Sequence, residues 1–147
     1  MSEHLTIAIG SDHAGFSHKE AIKKMLVDAG YTVVDVGTDS EERVDYPDFG
    51  AAAARLVANG SADLGVVICG SGIGISIAAN KVKGIRAANV TSVEMARLAR
   101  AHNNANMVAI GERITPLPEA LEIVKEFINT SFEGGRHTQR VEKLDRL

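Results

Sequence analysis

The chain has 147 residues, of which 45% are hydrophobic and 24% charged, and its formal net charge at pH 7 is −3. This length predicts one domain, residues 1–147, with enough apolar side chains for a core, and the mixed charges without a basic block argue against a nucleic-acid-binding protein. The single cysteine excludes an intramolecular disulfide, and because no leader and no apolar run near 20 residues is present, we expect a cytoplasmic protein without membrane contact.

Short β-branched segments alternate along the chain with segments whose apolar residues recur at helical spacing. The predicted strands are 5–10, 32–37, 64–69, 85–90 and 107–111, and the predicted helices are 18–30, 48–60, 74–82, 92–103 and 118–130. Strands joined in this way by helices predict an α/β fold, a three-layer α/β/α sandwich around a five-stranded parallel, Rossmann-like sheet. The one long irregular loop, 37–48, has a length typical of functional loops.

Polar residues follow the predicted strands, at the edge where open parallel sheets bind their ligands. They are Asp12, His13, Tyr46, Cys69 and Arg113, with His102 and Asn103 at the end of the helix after the fourth strand. We expect a candidate site at this edge.

Cys69 ends the third strand and opens a loop in which Gly70, Gly72 and Gly74 alternate. Glycine lets the backbone approach a ligand closely, and a helix that starts near Gly74 directs its free N–H groups to the same point. Such a loop favours an anion or a developing oxyanion. A tight strand-to-helix turn with a buried cysteine is equally compatible with this stretch.

The spacing of the glycines argues against three known phosphate-binding loops. A dinucleotide loop needs G-x-G-x-x-G after the first strand and an acid about 20 residues further on, whereas G-x-G-x-G follows the third strand here and Glu94 lies beyond the next one. A Walker loop needs a lysine, a cysteine phosphatase loop needs an arginine, and this loop has neither. A thiol that faces N–H donors suits proton abstraction beside a carbonyl, with the enediolate oxygen held by the amides.

Several of these polar residues also have structural explanations. Asp12 could cap a helix and His13 could lie on the surface, while His102 and Asn103 are typical of a helix C terminus. We expect the three remaining histidines to face solvent: His4, His18 and His137.

Arg136 and Arg140 are four residues apart, so on a helix they would share one face. Two guanidinium groups on one face are typical of a solvated surface, but they also fit a clamp for a phosphate monoester, which Arg113 could join. No set of cysteine, histidine and carboxylate residues has metal-ligand spacing, so we expect no metal.

Five motifs follow one another along the chain. They are SDHAGF (11–16), DYPDF (45–49), CGSGIGISIAANKVKGIRAA (69–88), HNNAN (102–106) and EGGRHTQRV (133–141). On these motifs the chain resembles the B-type ribose-5-phosphate isomerases, which are related to allose-6-phosphate and galactose-6-phosphate isomerases. The resemblance implies an aldose–ketose isomerase that interconverts ribose 5-phosphate and ribulose 5-phosphate by proton transfer through an enediolate, without a cofactor.

The resemblance also implies a role for each matching residue. Cys69 would be the base that moves a proton between C2 and C1, and Ser71 would assist the loop in holding the enediolate oxygen. The other roles are ring opening for Asp12 and His102, enediolate binding for the N–H groups of Gly70, Gly72, Ile73 and Gly74, sugar hydroxyl contacts for Tyr46 and Asn103, and phosphate binding for His13, Arg113, Arg136 and Arg140. A helix N terminus would stabilise the Cys69 thiolate.

Two loop positions indicate the subtype. Some members of the family have a glutamate base in the loop where Ile75 stands, so the chain is of the cysteine type, and Ser71 replaces the more usual threonine. The family implies a sugar-phosphate substrate and a homodimer or tetramer with sites at subunit interfaces. The alternatives are an isomerase of a six-carbon sugar phosphate such as allose 6-phosphate, and a non-catalytic sugar-phosphate or nucleotide binding module, which would not need the thiol.

Overall fold

A computed structural model describes residues 4–147, which form five parallel strands between two layers of helices. The strands are β1 (Thr6–Ser11), β2 (Thr32–Asp35), β3 (Leu64–Cys69), β4 (Ala87–Asn89) and β5 (Met107–Gly111). The helices are α1 (Phe16–Asp28), α2 (Tyr46–Ala58), α3 (Ile73–Asn80), α4 (Val93–Asn103), α5 (Leu117–Asn129) and α6 (Arg136–Asp145), and a one-turn 3₁₀ helix, His13–Gly15, precedes α1. The predicted α/β/α sandwich with a five-stranded parallel sheet is confirmed.

The strand order β2-β1-β3-β5-β4 positions the candidate site. The chain moves outward from β1 to β2 and then returns past β1 to β3, so the segments after β1 and β3 leave the sheet in opposite directions. Such a point opens a crevice at the carboxyl edge of a parallel sheet. Ser11 is paired with Ile68 in the register of β1 and β3. The residues that follow them, Asp12 and Cys69, therefore lie side by side at this crevice.

Each face of the sheet has its own apolar core, because side chains alternate between the faces along a strand. On one face Ile7, Ile9 and Ile68 pack with buried side chains of α1, α4 and α5. On the other face Ala8 and Cys69 pack with buried side chains of α2 and α3. Full burial of each isoleucine contributes about 1.5–3 kcal/mol. Cys69 thus belongs to a core and also borders the glycine loop.

Several predicted boundaries differ from the structure by one or two residues, and two of these differences concern the start of α2 and strand β4. Tyr46 is the first residue of α2 and does not lie in an irregular loop that reaches residue 48. Pro47 is tolerated in a first helical turn because that turn needs no N–H there, and the charge of Asp48 suits the positive end of the helix dipole. Strand β4 has three residues and does not extend over 85–90.

Helix α6 was not among the predicted helices, because its sequence is mostly polar. It buries His137 and Val141, and Arg86 Nη1 donates to Asp145 Oδ1 at 2.8 Å near its end. Tertiary contacts therefore fix this helix more than an apolar pattern of its own. None of the six helices, within the described residues, is long and apolar enough to cross a bilayer.

Candidate active site

Asp12 follows β1 directly and is 5% exposed. Its N–H donates to Ile68 O of β3 at 3.3 Å, and its Oδ1 accepts from Ala14 N at 3.0 Å and Gly15 N at 3.2 Å. The carboxylate therefore caps the 3₁₀ helix, as the structural interpretation predicted. These bonds fix the acid at the crevice, next to Cys69.

The Cys69 thiol is buried, and its Sγ accepts a hydrogen bond from Gly72 N at 3.1 Å. The loop can turn back on the sulfur because Gly72 has φ +81°, in the left-handed region. A Cβ at Gly72 would also lie 2.6 Å from Asn89 Oδ1, so only glycine fits. An N–H directed at the sulfur and the start of α3 one residue later both stabilise a negative charge here.

The glycine loop is braced by the segment that follows β5. Glu112 N donates to Cys69 O and Arg113 N donates to Gly70 O, both at 2.9 Å. These bonds bring the Arg113 guanidinium against the loop, where its Nη1 lies 2.9 Å from the position of a Cβ on Gly70. A permanent positive charge therefore borders the loop, as an anion site requires.

Ser71 and Tyr46 complete the surface of the loop. Ser71 Oγ accepts from Ile73 N at 3.1 Å, so the hydroxyl caps the first turn of α3. The Tyr46 ring packs against Gly74, where a Cβ would lie 2.6 Å from Cζ and 3.0 Å from the phenolic oxygen. Gly74 thus leaves room for a half-exposed aromatic ring beside the loop.

His13 has a defined tautomer in its neutral form. Val44 N donates to His13 Nδ1 at 3.1 Å, so Nδ1 is the acceptor and the ring proton is on Nε2. The imidazole, which is partly exposed, therefore offers an N–H donor. Its partner belongs to the segment between β2 and α2.

A buried ion pair supports the start of that segment. Lys19 Nζ donates to Asp35 Oδ2 at 2.6 Å and to Glu20 Oε2 at 2.8 Å, while Gly37 N donates to Asp35 Oδ1 at 2.9 Å. Burial opposes both charges, but the hydrogen bonds from Lys19, Gly37 and Lys23 outweigh it and lower the pKa of Asp35. Burial lowers the pKa of Lys19, but the hydrogen bonds that Lys19 donates to Asp35 and Glu20 outweigh this effect and raise it.

The prediction that His18 faces solvent was wrong, whereas His4 is exposed as predicted. His18 Nε2 donates to Thr115 O at 2.8 Å, and Glu112 Oε1 accepts from His18 N at the same distance. His18 is covered because α1 packs against the segment after β5. It joins α1 to the residues that brace the glycine loop.

His102 and Asn103 do not lie at the carboxyl edge of their own chain. They are the last two residues of α4. Shortly after them, Asn106 O accepts from Gly65 N at 2.9 Å and Asn106 N donates to Arg86 O at 3.0 Å. These contacts place the end of α4 near the start of β3 and just before β4. Cys69 is at the far end of β3, and a strand rises about 3.3 Å per residue. The sheet therefore separates these residues from Cys69, because a helix between parallel strands must run back along the sheet.

Helix α6 brings the two clamp arginines to the same place as His102. The His137 ring stacks on the His102 ring with centroids 4.3 Å apart, and Arg136 and Arg140 are exposed on α6. His137 is buried by this contact, so its predicted solvent exposure was wrong. Burial, followed by the effects of His102 and Arg136, lowers the pKa of His137.

The predicted site residues thus fall into two groups. The carboxyl-edge group comprises Asp12, His13, Tyr46, Cys69, Gly70, Ser71, Gly72, Ile73, Gly74 and Arg113. The α4–α6 group comprises His102, Asn103, Arg136 and Arg140. One chain does not bring the two groups together.

Sequence reasoning missed three residues in these groups. Asn89 at the end of β4 has a buried Oδ1 without a hydrogen-bond partner in the described part of the chain, close to Gly72. Asparagine is depleted in strands, so its place in β4 was an available signal. Glu133 and His137 adjoin His102, and the three side chains have ligand atoms within 4.8 Å of one another, close enough to hold a metal ion. Glu133 and His137 are four residues apart, which on a helix would bring them together, but nothing in the sequence placed His102 beside them.

The chain is similar to sugar-phosphate isomerases. A model of the family Ribose/Galactose Isomerase matches residues 7–144. Ribose-5-phosphate isomerase B of Escherichia coli strain K12 is 48% identical over 138 residues, which are 94% of this chain and 93% of that protein. The structure of ribose-5-phosphate isomerase B from Clostridium thermocellum aligns with a TM-score of 0.95 and 52% identity, over 97% of this chain and 96% of that chain. A structure from Mycoplasma genitalium with bound ribulose-5-phosphate aligns with a TM-score of 0.92 and 43% identity, over 96% and 94%.

Proposed function

The chain belongs to the ribose/galactose isomerase family, and we propose that it interconverts ribose 5-phosphate and ribulose 5-phosphate, as an intramolecular oxidoreductase. The observation that carries this proposal is the Cys69 thiol at the mouth of the glycine loop, with the Gly72 N–H 3.1 Å from its sulfur. A solved relative with this fold contains bound ribulose-5-phosphate. A non-catalytic binding module would not need a thiol at this point.

Cys69 acts as the base in the proposed reaction. The thiolate takes the proton from C2 of the open-chain aldose and returns it to C1, while the hydroxyl proton on the C2 oxygen moves to the C1 oxygen. The carbonyl thereby moves from C1 to C2, and no external oxidant is needed. The N–H groups from Gly70 to Gly74 hold the enediolate oxygen in the intermediate. Ser71, whose hydroxyl caps α3, keeps these N–H groups in place.

The phosphate is held by cationic and N–H donors from both groups. In the carboxyl-edge group, His13 offers its Nε2–H because Val44 N occupies Nδ1, and Arg113 adds a guanidinium beside the glycine loop. Arg136 and Arg140 of the α4–α6 group complete the clamp with charge-assisted hydrogen bonds. Both are exposed in the single chain, so their side chains are free to turn toward a ligand.

We further propose that each site is shared by two chains of a homodimer. Asp12 and His102 have complementary roles in opening the furanose ring, and Tyr46 and Asn103 both contact sugar hydroxyls, yet within one chain the sheet separates the members of each pair. A two-fold dimer presents each group twice. The α4–α6 group of one copy can therefore cover the carboxyl-edge group of the other. Further pairing into a tetramer stays a prediction.

Exposed apolar side chains support a second copy as the partner at this edge. Ile73 and Ile77, one turn apart on α3, are 56% and 55% exposed. Large apolar side chains grouped on a surface mark interaction sites. Because Ile73 is itself part of the carboxyl-edge group, an interface formed by these side chains would adjoin the site.

A turnover assay of the purified chain against five-carbon and six-carbon aldose phosphates tests the function. We expect ribose 5-phosphate to be the best substrate and non-phosphorylated ribose to be a very poor one. Higher turnover of allose 6-phosphate would favour the six-carbon alternative. Binding of sugar phosphates without turnover of any of them would leave the binding module. The cytoplasmic location stays a prediction.

A further inference from the structure

A pair of stacked imidazoles lies in the α4–α6 group. The His102 and His137 rings are parallel to within 14°, with centroids 4.3 Å apart. The in-plane nitrogen lone pairs of two stacked rings do not converge on one ion, so the contact between these residues is made by the ring faces. We propose that His137 is a positioning residue, whose ring holds the His102 imidazole in the orientation that opens the furanose ring. This inference rests on the proposed function.

His137 is the fixed member of the pair. Its side chain is 9% exposed, against 36% for His102. It lies in the first turn of α6, and Val141, one turn further along that helix, is buried as well. Glu133 N donates to Ala101 O at 3.0 Å, which joins the loop before α6 to the last turn of α4. The docked helix therefore presents the His137 ring as a fixed surface that covers one face of the more exposed His102 ring.

Stacking, and not a hydrogen bond between these side chains and Glu133, fixes the plane of the His102 ring. Glu133 Oε1 is 3.7 Å from His102 Nε2 and 3.6 Å from His137 Nε2, and both distances are too long for a hydrogen bond. His137 Nε2 is buried and has no hydrogen-bond partner among residues 4–147. Because this nitrogen forms no hydrogen bond, the contribution of His137 comes from the face of its ring.

Ring opening needs a proton acceptor and a proton donor at fixed positions. One group takes the proton of the C1 hydroxyl, the C1 carbonyl forms as the bond from C1 to the ring oxygen breaks, and the other group gives a proton to the ring oxygen. The resemblance gives these two roles jointly to Asp12 and His102. Two backbone N–H groups fix Asp12, whereas His102 lies at the end of a helix. A rotated imidazole would move its nitrogen out of hydrogen-bond reach of the sugar, so His102 needs a neighbour that holds its plane.

The charge of His137 suits this contact. Burial, followed by the effects of His102 and Arg136, lowers the pKa of His137, so the ring is neutral at pH 7. A neutral ring allows His102 to take up a proton during ring opening without a second imidazolium against its face. The other charged groups that act on His137 are Glu133 and Arg140.

Ribulose 5-phosphate separates ring opening from proton transfer. Its C5 oxygen carries the phosphate and cannot close a furanose ring on C2, so Cys69 can exchange its C1 proton with solvent without any ring step. His137→Ala should therefore lower kcat for ribose 5-phosphate by at least about tenfold, since misplacement of a reacting group has effects of this size or more. The exchange of solvent deuterium into C1 of ribulose 5-phosphate should be nearly unchanged. KM should also change little, because Arg136 and Arg140 remain.

Two further variants separate stacking from the packing of α6. His137→Phe keeps a ring face and loses only the nitrogen atoms, so it should retain most of the wild-type turnover. Val141→Ala removes a buried side chain of the same helix outside the stack, and should leave the ratio of turnover to exchange unchanged. If His137→Ala does not fold, His137→Leu replaces it, because leucine fills the position without a flat ring.

Three results would overturn the positioning role. They are wild-type turnover in His137→Ala, equal losses of turnover and exchange in that variant, and a loss in His137→Phe as large as in His137→Ala. The same change of ratio in Val141→Ala would show that His137 only helps to pack α6. A wild-type chain that neither turns over ribose 5-phosphate nor exchanges the C1 proton of ribulose 5-phosphate would contradict the proposed function instead.

Discussion

The carboxyl-edge group and the α4–α6 group are built in different ways. Asp12 and Cys69 are buried at strand ends, and backbone N–H groups donate to the carboxylate and to the sulfur. Arg136 and Arg140 are exposed on the surface of a helix. Groups that must meet a reacting carbon within a fraction of an ångström are thus fixed by the backbone before substrate binds. Groups that bind a phosphate by charge can be mobile until a ligand orders them.

The difference also bears on assembly. The carboxyl-edge group holds the proposed base but only part of the phosphate clamp, and the α4–α6 group holds the remaining cations but no base. If the residues have the proposed roles, neither group is a complete site, and the activity depends on how copies of the chain pair. Experiments on the residues of each group break or sharpen this comparison.

Replacement of the base should have the largest effect on activity. Cys69→Ala should lower kcat by at least about 100-fold, because proton transfer by a positioned side chain contributes that much or more. KM should change little, since the thiol does not bind the phosphate. The measurement is the rate of ribulose 5-phosphate formation, with thermal unfolding to confirm that the variant is folded. Near-normal turnover would reject Cys69 as the base.

Exchange of the substrate proton provides a second check on the same step. A proton that passes through the thiol should exchange with solvent, so turnover in heavy water should label the substrate. Complete retention of the original hydrogen would indicate a hydride shift instead.

Mixed dimers test whether the two groups meet across an interface. Cys69→Ala and His102→Ala should each be nearly inactive alone. After an equal mixture is unfolded and refolded together, about half of the dimers should be mixed, each with one intact site, which restores roughly a quarter of the wild-type activity. Confirmed exchange of subunits with no recovery would mean that both residues act within one chain, and would reject the shared site.

Loss of one clamp arginine should have a smaller effect. Arg136→Ala or Arg140→Ala should raise KM for ribose 5-phosphate about tenfold, because each removes a charge-assisted contact of about 1.5–3 kcal/mol. Part of the loss can appear in kcat, since binding energy at the phosphate helps to orient the reacting carbons. Arg55→Ala is the matched control, because Arg55 is exposed on α2, outside both groups. Equal KM values in all three variants would show that the two arginines are only a solvated helix face.

Loss of the buried Lys19–Asp35 ion pair should lower the stability of the fold and hardly change turnover. Asp35→Asn removes one partner of the buried Lys19–Asp35 pair and should lower the free energy of unfolding by about 3 kcal/mol at pH 7. Asp28→Asn, which breaks the exposed Lys24–Asp28 pair, should lower it by less than about 1 kcal/mol. Urea unfolding measures both variants, and equal losses would contradict the role given to burial.

The Asp35 effect should depend on pH with a defined sign. Because the pKa of Asp35 is lowered in the folded chain, the charged carboxylate stabilises the fold at pH values above its unfolded pKa of about 3.9. This contribution is lost as the pH falls through the lower, folded-state pKa. The difference between wild type and Asp35→Asn should therefore be constant near neutrality and should narrow below about pH 4. A difference that widens in acid would contradict the direction of the shift.

Local pattern in the sequence determined the five strands, the helices between them and the chemistry of the glycine loop. Five apolar segments and the helices between them predicted the parallel sheet, and Cys69 followed by alternating glycines predicted a thiol facing N–H donors, because a strand end and its turn span only a few consecutive residues. The resemblance added the remaining site residues to that loop. The expectation that His102 and Asn103 lie at the same edge as Cys69 was wrong, because within one chain the sheet separates them.

Only the tertiary structure decided where His102 lies and what covers the other histidines. Helix α4 returns along the sheet, which puts His102 at the edge opposite Cys69, and the docking of α6 buries His137 against it. His18 is buried by the segment after β5. The physical reason is the same in each case. The spacing of apolar residues indicates which residues are neighbours within one helix turn or one strand. The exposure of a histidine, and which side chains lie beside it, depend on segments far apart in the sequence that meet only when the layers pack.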